Sequence, residues 1–182
     1  LNTMAFNTER YPGVAENVSD RTAGFTLNHC MMRIKDPERS LAFYTNIFGM
    51  RVLRRLDFAE LNFSLYFLNC PAGTDDPPED IGDRTVWTFS QRGLLELTHN
   101  WGSEDDPDVA YHDGNSEPQG FGHICISVPD LDDAVAWFDD NEVPFIKRPE
   151  QGKLPDVAFV RDPDGYWIEI VEAARLPGLG RC

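Results

Sequence analysis

Residues 28–50 read NHCMMRIKDPERSLAFYTNIFGM, and residues 122–145 read GHICISVPDLDDAVAWFDDNEVPF. In each, a His opens a short alternating run and an Asp follows seven residues later: Asp36 after His29, Asp130 after His123. An Asp side chain accepts from the free amides of a first helical turn, so both mark helix starts. Pro37 fits the first helical position of one copy, and Asp133 stands three residues after the cap of the other. Leu41, Tyr44 and Phe48 recur at helical spacing, as do Leu131, Val135 and Phe138. Gly49 is the expected stop of the first helix. The chain therefore carries an internal repeat that begins strand, then helix.

Working outward, each helix is followed by strand-like runs. The first copy offers Arg51–Arg55, Phe63–Leu68, Thr85–Ser90 and Leu94–Thr98; the second offers Phe145–Lys147, Val157–Val160 and Trp167–Val171. DPDG at 162–165 is a tight-turn signal that makes the last two a hairpin. Both copies end on an apolar strand holding one Glu, Glu96 in LLEL and Glu169 in WIEI. The His-to-Glu separation is 67 residues in the first copy and 46 in the second, a difference assigned to longer loops, mainly the Pro/Asp/Gly-rich stretch 70–84. The pattern predicts an α+β fold of two βαβββ modules, about 25–100 and 121–174, joined by the polar loop 102–119. Residues 1–24 lack apolar periodicity and read as an exposed arm, and 175–182 as a mobile tail. The chain opens on Leu1, with Met4 a candidate start.

At 182 residues the chain suits one domain and is long enough to bury a core without disulfides. No apolar run reaches the ~20 residues of a membrane helix. A net charge of −15 (31 Asp plus Glu against 16 Lys plus Arg) disfavours nucleic acid and anionic membranes as partners. Cys30, Cys70, Cys125 and Cys182 show no metal or disulfide spacing, as expected of a reduced, cytoplasmic protein.

Strand alternation sends neighbouring side chains to opposite faces. Ile124, Ile126 and Val128 turn toward the helix; His123, Cys125 and Ser127 turn away. Glu169 opposes Ile168 and Ile170, Glu96 opposes Leu95 and Leu97, and His29 shares a face with Met31 and Arg33. Each module thus offers one His and one Glu on the sheet face away from its helix. Two such modules about a pseudo-twofold would gather four donors suited to a divalent transition metal such as Zn, Ni, Co or Fe. A lone strand His is more often a hydrogen-bonded structural residue; the matched occurrence in a repeat is what favours the metal. His99 and His112, outside the correspondence, read as surface or loop residues, Met31–Met32 as core, and the acidic run 104–106 as solvated.

The stretches HCMMRIKDPERSLAFYTNIFGM (29–50), FSLYFL (63–68), LELTHNWG (95–102), GFGHICISVPD (120–130) and DPDGYWIEI (162–170) resemble the glyoxalase I, or lactoylglutathione lyase, family of the vicinal oxygen chelate superfamily. The resemblance runs from about Phe25 to Val171. It implies a cup-shaped mixed sheet with helices on its outer face, and isomerisation of the methylglyoxal–glutathione hemithioacetal to S-D-lactoylglutathione. It implies His29, Glu96, His123 and Glu169 as metal ligands, and Arg33, Asn100, Lys153 and Leu154 as glutathione contacts. Gln119 stands where the family often has Arg; Gln carries no charge for a carboxylate, and Lys147 or Arg148 could compensate. The long 70–84 loop and the arm resemble the zinc-dependent branch, so one Zn per site is expected, with Ni or Co as alternatives. The resemblance also implies a homodimer with sites at the subunit interface and the arm wrapping its partner.

The chemistry expected is proton transfer between adjacent carbons through an enediolate. It needs a base near C1 and a positive centre for the developing oxyanion. Glu169 is the expected base, Glu96 the base for the other substrate enantiomer, and Phe63, Leu65 and Phe67 the apolar lining for the methyl group. Four protein ligands leave too few open positions for extradiol dioxygenase chemistry, LTHNWG and QGKLPD argue against an acyl-CoA epimerase, and a metal-free binding protein needs no carboxylates there.

Overall fold

The computed structural model describes residues 11–15, 17 and 19–179. Most of the expected arm, including Met4, and the last three residues with Cys182 lie outside the described residues. The elements are β1 (His29–Ile34), α1 (Pro37–Ile47), β2 (Arg51–Phe58), β3 (Phe63–Asn69), α2 (Ile81–Ser90), β4 (Leu94–Asn100), β5 (His123–Ser127), α3 (Leu131–Asp140), β6 (Phe145–Lys147), β7 (Val157–Arg161) and β8 (Trp167–Val171). They form two four-stranded sheets ordered β1-β4-β3-β2 and β5-β8-β7-β6. In both, the first strand runs parallel to the last and the other pairings are antiparallel. The twin-module α+β expectation is borne out.

The helix signals act as read. Asp36 accepts from the amides of Glu38 and Arg39, and Asp130 from that of Asp133. Gly49 takes φ +61, a backbone that a side chain disfavours. One stretch departs from expectation: Thr85–Ser90 is helix, not strand. Asp80 caps it by accepting from Gly82 and Asp83, and the Thr85 and Ser90 hydroxyls donate to the carbonyls of Ile81 and Val86. Capping and tertiary burial of Trp87 and Thr88 override the strand propensity of TVWTF. α2 is therefore an insertion between β3 and β4.

A single core joins the modules. Met32, Ile34, Tyr44, Leu95 and Leu97 from the first cluster with Leu131, Phe138, Ile168 and Ile170 from the second, and the Phe48 and Phe138 rings lie 5.7 Å apart. These are the faces that carry α1 and α3. Smaller clusters sit on the opposite faces: Leu53, Phe67 and Leu94 against Trp87 of α2, and Val157, Phe159 and Val171 against Leu176. Leu176 belongs to a 3-10 turn, Ala173–Gly178, so the start of the expected mobile tail is ordered. Arg175 there pairs with Asp132 at 2.7 Å and Glu172 at 2.6 Å.

The DPDG turn has a second task across the modules. Asp164 accepts from the Lys35 amide (3.1 Å) and the Ser40 hydroxyl (3.1 Å), and the Tyr44 hydroxyl donates to Asp162 at 2.8 Å. Tyr166 closes the contact by donating to the Arg33 carbonyl at 2.9 Å. Asp162 is buried, and desolvation pushes its carboxyl up to about 6 despite the hydrogen bonds it accepts. A carboxyl whose folded pKa exceeds its unfolded one holds more protons when folded, so stability falls as pH rises from about 4 to about 6. Asp162→Asn removes this ionisation. Between pH 4 and pH 7 the wild type is expected to lose about 2 kcal/mol relative to Asp162→Asn, read as the difference between their denaturant unfolding free energies. Parallel pH profiles for the two proteins would contradict the assignment.

Candidate active site

The strand register explains how the four predicted donors come to lie in pairs. Met31 and Phe67 flank Glu96 on either side, while Cys125 and Phe159 flank Glu169. In each module the His stands two residues before the neighbour of the Glu, on the same face. His29 Nε2 lies 2.9 Å from Glu96 Oε2, and His123 Nε2 lies 3.3 Å from Glu169 Oε2. Each imidazole meets an aromatic ring edge-on: Phe67 at 5.4 Å from His29, Phe159 at 5.2 Å from His123. Phe159 is a repeat partner that sequence reasoning missed; its register with Glu169 was the available signal.

The two pairs stand apart within the chain. Among the described residues no group of three or more His, Cys, Asp or Glu is gathered so as to hold a metal ion. The four donors do not converge within one chain, contrary to the simplest reading of the repeat. The cause is the shared core: both sheets bury their helix-bearing faces together, and both donor pairs lie on the other faces. Donor chemistry and spacing nonetheless fit a divalent cation. Ligand bonds of about 2.0–2.2 Å put two donors of one cation about 2.8–3.6 Å apart for angles from 90° to tetrahedral, and both pairs fall within that range.

The two carboxylates differ. Glu96 is 8% exposed and uses both oxygens, Oε2 toward His29 and Oε1 accepting from the Thr98 hydroxyl at 3.0 Å. Glu169 is more open and has the Cys125 thiol beside it. Burial pushes that thiol up to about 11, and the Glu169 charge adds to the effect, so Cys125 stays a neutral neighbour.

Around the first pair, Phe63 and Leu65 are half-buried and Phe67 fully buried, all on the donor face with Asn100 at its exposed end. α2 covers part of this face, placing Phe89 6.4 Å from His29. His29 also lines a cavity of about 350 Å³ between β1 and β5, with Cys30, Arg92, Leu94 and Cys125. Arg92 was not singled out from sequence because it sits in a loop outside the repeat. Arg33 is exposed beside a second cavity of about 370 Å³, shared with Tyr111, His112 and Phe121. Gly114 of the connecting loop lines it too. Its φ is +80, and a Cβ there would overlap the Phe121 carbonyl oxygen, so only glycine fits.

Several expectations are corrected. Lys147 does not stand free: its Nζ donates to the carbonyls of Arg148 (3.0 Å), Leu154 (2.7 Å) and Val157 (2.6 Å). Burial lowers its pKa. Arg148 pairs with Asp139 at 2.5 Å and stacks over Phe145 at 4.1 Å. Both are thus engaged within the chain, and Gln119 is exposed and only weakly bonded to the Asn115 carbonyl at 3.5 Å. Leu154 is half-exposed on the loop that Lys147 closes, and Lys153 beside it is exposed. His99 is buried and lies 2.6 Å from Glu104, so neither is merely solvated. Backbone amide donation, then His99, holds the Glu104 carboxyl below its usual range. His112 is a loop residue as read, accepting from the Gly114 amide. Met32 is core, but Met31 is 40% exposed on the donor face.

Fold and donor arrangement together define a twin-module protein with a histidine–carboxylate pair in each half. The Glyoxalase/Bleomycin resistance protein/Dioxygenase superfamily profile matches residues 26–170, and the chain belongs to that superfamily. It is 51% identical over 178 residues to a lactoylglutathione lyase of Pseudomonas aeruginosa, covering 98% of this chain and 99% of that protein. It is 46% identical over 173 residues to a glyoxalase I of Saccharomyces cerevisiae, covering 94% of this chain and 52% of the yeast protein. Among solved structures, the trypanothione-dependent glyoxalase I of Leishmania major superposes with a TM-score of 0.62 at 32% identity, covering 84% of this chain and 89% of that one.

The three bonds of Lys147 assign it to closing the 148–157 loop. Lys147→Met, which keeps the stem and deletes the ammonium, is expected to speed amide exchange across 148–156 about tenfold while leaving exchange in the core strands unchanged. Unchanged exchange there would remove the clamp.

Proposed function

We propose that this chain is a lactoylglutathione lyase that isomerises the hemithioacetal of methylglyoxal and glutathione to S-D-lactoylglutathione, acting in cytoplasmic methylglyoxal detoxification. The observation that carries the reading is the repeated His–Glu pair, at 2.9 and 3.3 Å, on the open face of each module. The names and coverage of the relatives point to the reaction. Full sites require two copies, so the active form is a homodimer in which His29 and Glu96 of one copy meet the second half-site of the other. One divalent cation per site, zinc in preference to nickel or cobalt, is held by His29, Glu96, His123 and Glu169. When bound, it supplies a Lewis acid for the oxyanion that develops as the carbon acid loses its proton.

The chain's own residues do the rest. Glu169 takes the C1 proton and returns it to C2; its openness, compared with the doubly engaged Glu96, suits a group that must move. Glu96 serves the other enantiomer. Phe63, Leu65 and Phe67 enclose the methyl group and exclude water. Arg33, Asn100, Lys153 and Leu154 bind glutathione, Arg33 with its guanidinium free of any carboxylate partner among the described residues.

At saturating Zn2+, Glu169→Gln is expected to lower kcat by about 10²–10⁴-fold with folding intact, measured as thioester formation from methylglyoxal plus glutathione before and after chelation. Near-wild-type turnover would remove Glu169 as base. Shared sites make a second outcome: His29→Ala and His123→Ala copies, each inactive alone, should regain about a quarter of wild-type activity when dissociated and mixed in equal amounts, since half the dimers then hold one intact site. No recovery despite subunit exchange would place each site within a single copy.

A further inference from the structure

The side chain before the first candidate ligand has an arrangement that only one hydrogen placement satisfies. Asn28 Nδ2 donates to the Thr88 carbonyl at 3.0 Å and to the Gln91 carbonyl at 2.9 Å. Carbonyl oxygens only accept, so both amide hydrogens are spent there and Oδ1 is turned the other way. Oδ1 lies 2.7 Å from His29 Nδ1. It too can only accept, so the hydrogen of that bond resides on Nδ1. We propose that Asn28 is a positioning residue that keeps the hydrogen of His29 on Nδ1, so that Nε2 presents its lone pair to the cation shared with Glu96. The cation itself rests on the preceding functional reading; the Nδ1 hydrogen does not.

The clamp draws its rigidity from α2. Thr88 is in the last turn of that helix and Gln91 is its C-terminal cap; the Thr88 carbonyl accepts the Gln91 amide at 3.2 Å as well as the Asn28 side chain. One amide therefore closes the end of α2 and aims the imidazole. Ring orientation is then fixed from the sides by Phe67 and Phe89 at 5.4 and 6.4 Å. The second half-site has no such device: among the described residues His123 Nδ1 has no hydrogen-bond partner, and the residue before it is Gly122. The two imidazoles are thus unequal, one pre-set by the fold and the other oriented only by Phe159 and its carboxylate. Outer partners of this kind typically alter metal affinity 10- to 100-fold.

Long-range ¹H–¹⁵N correlation on the metal-free and Zn2+-loaded full chain, with the ring neutral, reads the hydrogen directly. The expected result is a slowly exchanging hydrogen on His29 Nδ1 in both states. In Asn28→Ala that signal is expected to exchange rapidly and Zn2+ affinity, by chelator competition, to fall 10- to 100-fold, with kcat at saturating Zn2+ within about threefold of wild type. Asn28→Asp keeps an acceptor for Nδ1 but turns its second oxygen onto the Thr88 and Gln91 carbonyls, so it is expected to weaken Zn2+ binding as well. A neutral metal-free His29 carrying its hydrogen on Nε2 would overturn the proposal, whether or not the variants fold. So would Asn28→Ala with Zn2+ affinity within twofold of wild type. A wild type that shows the Nδ1 hydrogen but takes up no Zn2+ supports the clamp and sinks the metal reading instead.

Discussion

Burial of the helix-bearing faces of both sheets in one common core fixes everything functional about this chain. Tyr44, Leu97, Phe138 and Ile168 are fully buried there, and each such side chain is worth about 1.5–3 kcal/mol relative to exposure. Because strand side chains alternate strictly, committing Cys30, Met32 and Ile34 or Ile124 and Ile126 to one side commits His29 or His123 to the other. The donor faces are what remains after the core has taken its share. A one-residue slip in β4 or β8 would put Glu96 or Glu169 into that core, where an unpaired carboxylate is costly.

The same constraint leaves each donor face needing cover, and the two modules meet the need differently. In the first, α2 packs Trp87 against Leu53, Phe67 and Leu94. In the second, the 3-10 turn after β8 brings Leu176 onto Val157, Phe159 and Val171. Both elements lie outside the repeat, so the half-sites share donors and aromatic supports but not their surroundings. Glu96 is enclosed and doubly bonded, while Glu169 is open, which is why two equivalent carboxylates suit unequal chemical roles.

What the sequence made legible follows from local physics. The helix caps at Asp36 and Asp130, the stop at Gly49 and the hairpin at DPDG depend on side chains close in the chain. The four donors were found because period-2 alternation and a repeat constrain each other. α2 was misread because TVWTF has strand propensity, and its helical state comes from the Asp80 cap and from packing on residues distant in sequence. His99 was misread because its partner Glu104 sits across a turn that no pattern marks. The inter-module latch of Asp162 and Asp164 onto Tyr44, Ser40 and Lys35 spans more than a hundred residues and has no local signature. Nor does a repeat reveal whether its two halves face each other or back onto each other; the shared core decides that.

Charge sharpens the question of how so acidic a protein holds an anionic thiol adduct. The net charge is −15, yet surface charges beyond about 8–10 Å are screened at physiological salt, so nearby cations outweigh the distant total. Lys147, the last residue of β6, and Arg148 after it are consumed by carbonyls and by Asp139. Arg175 is likewise held by Asp132 and Glu172. Arg33 and Lys153 have no carboxylate within ion-pair distance among the described residues. In a chain with twice as many acids as bases, cations unpaired among the described residues, such as Arg33, on the face of His29, and Arg92, lining the cavity beside His29, represent an unspent electrostatic attraction.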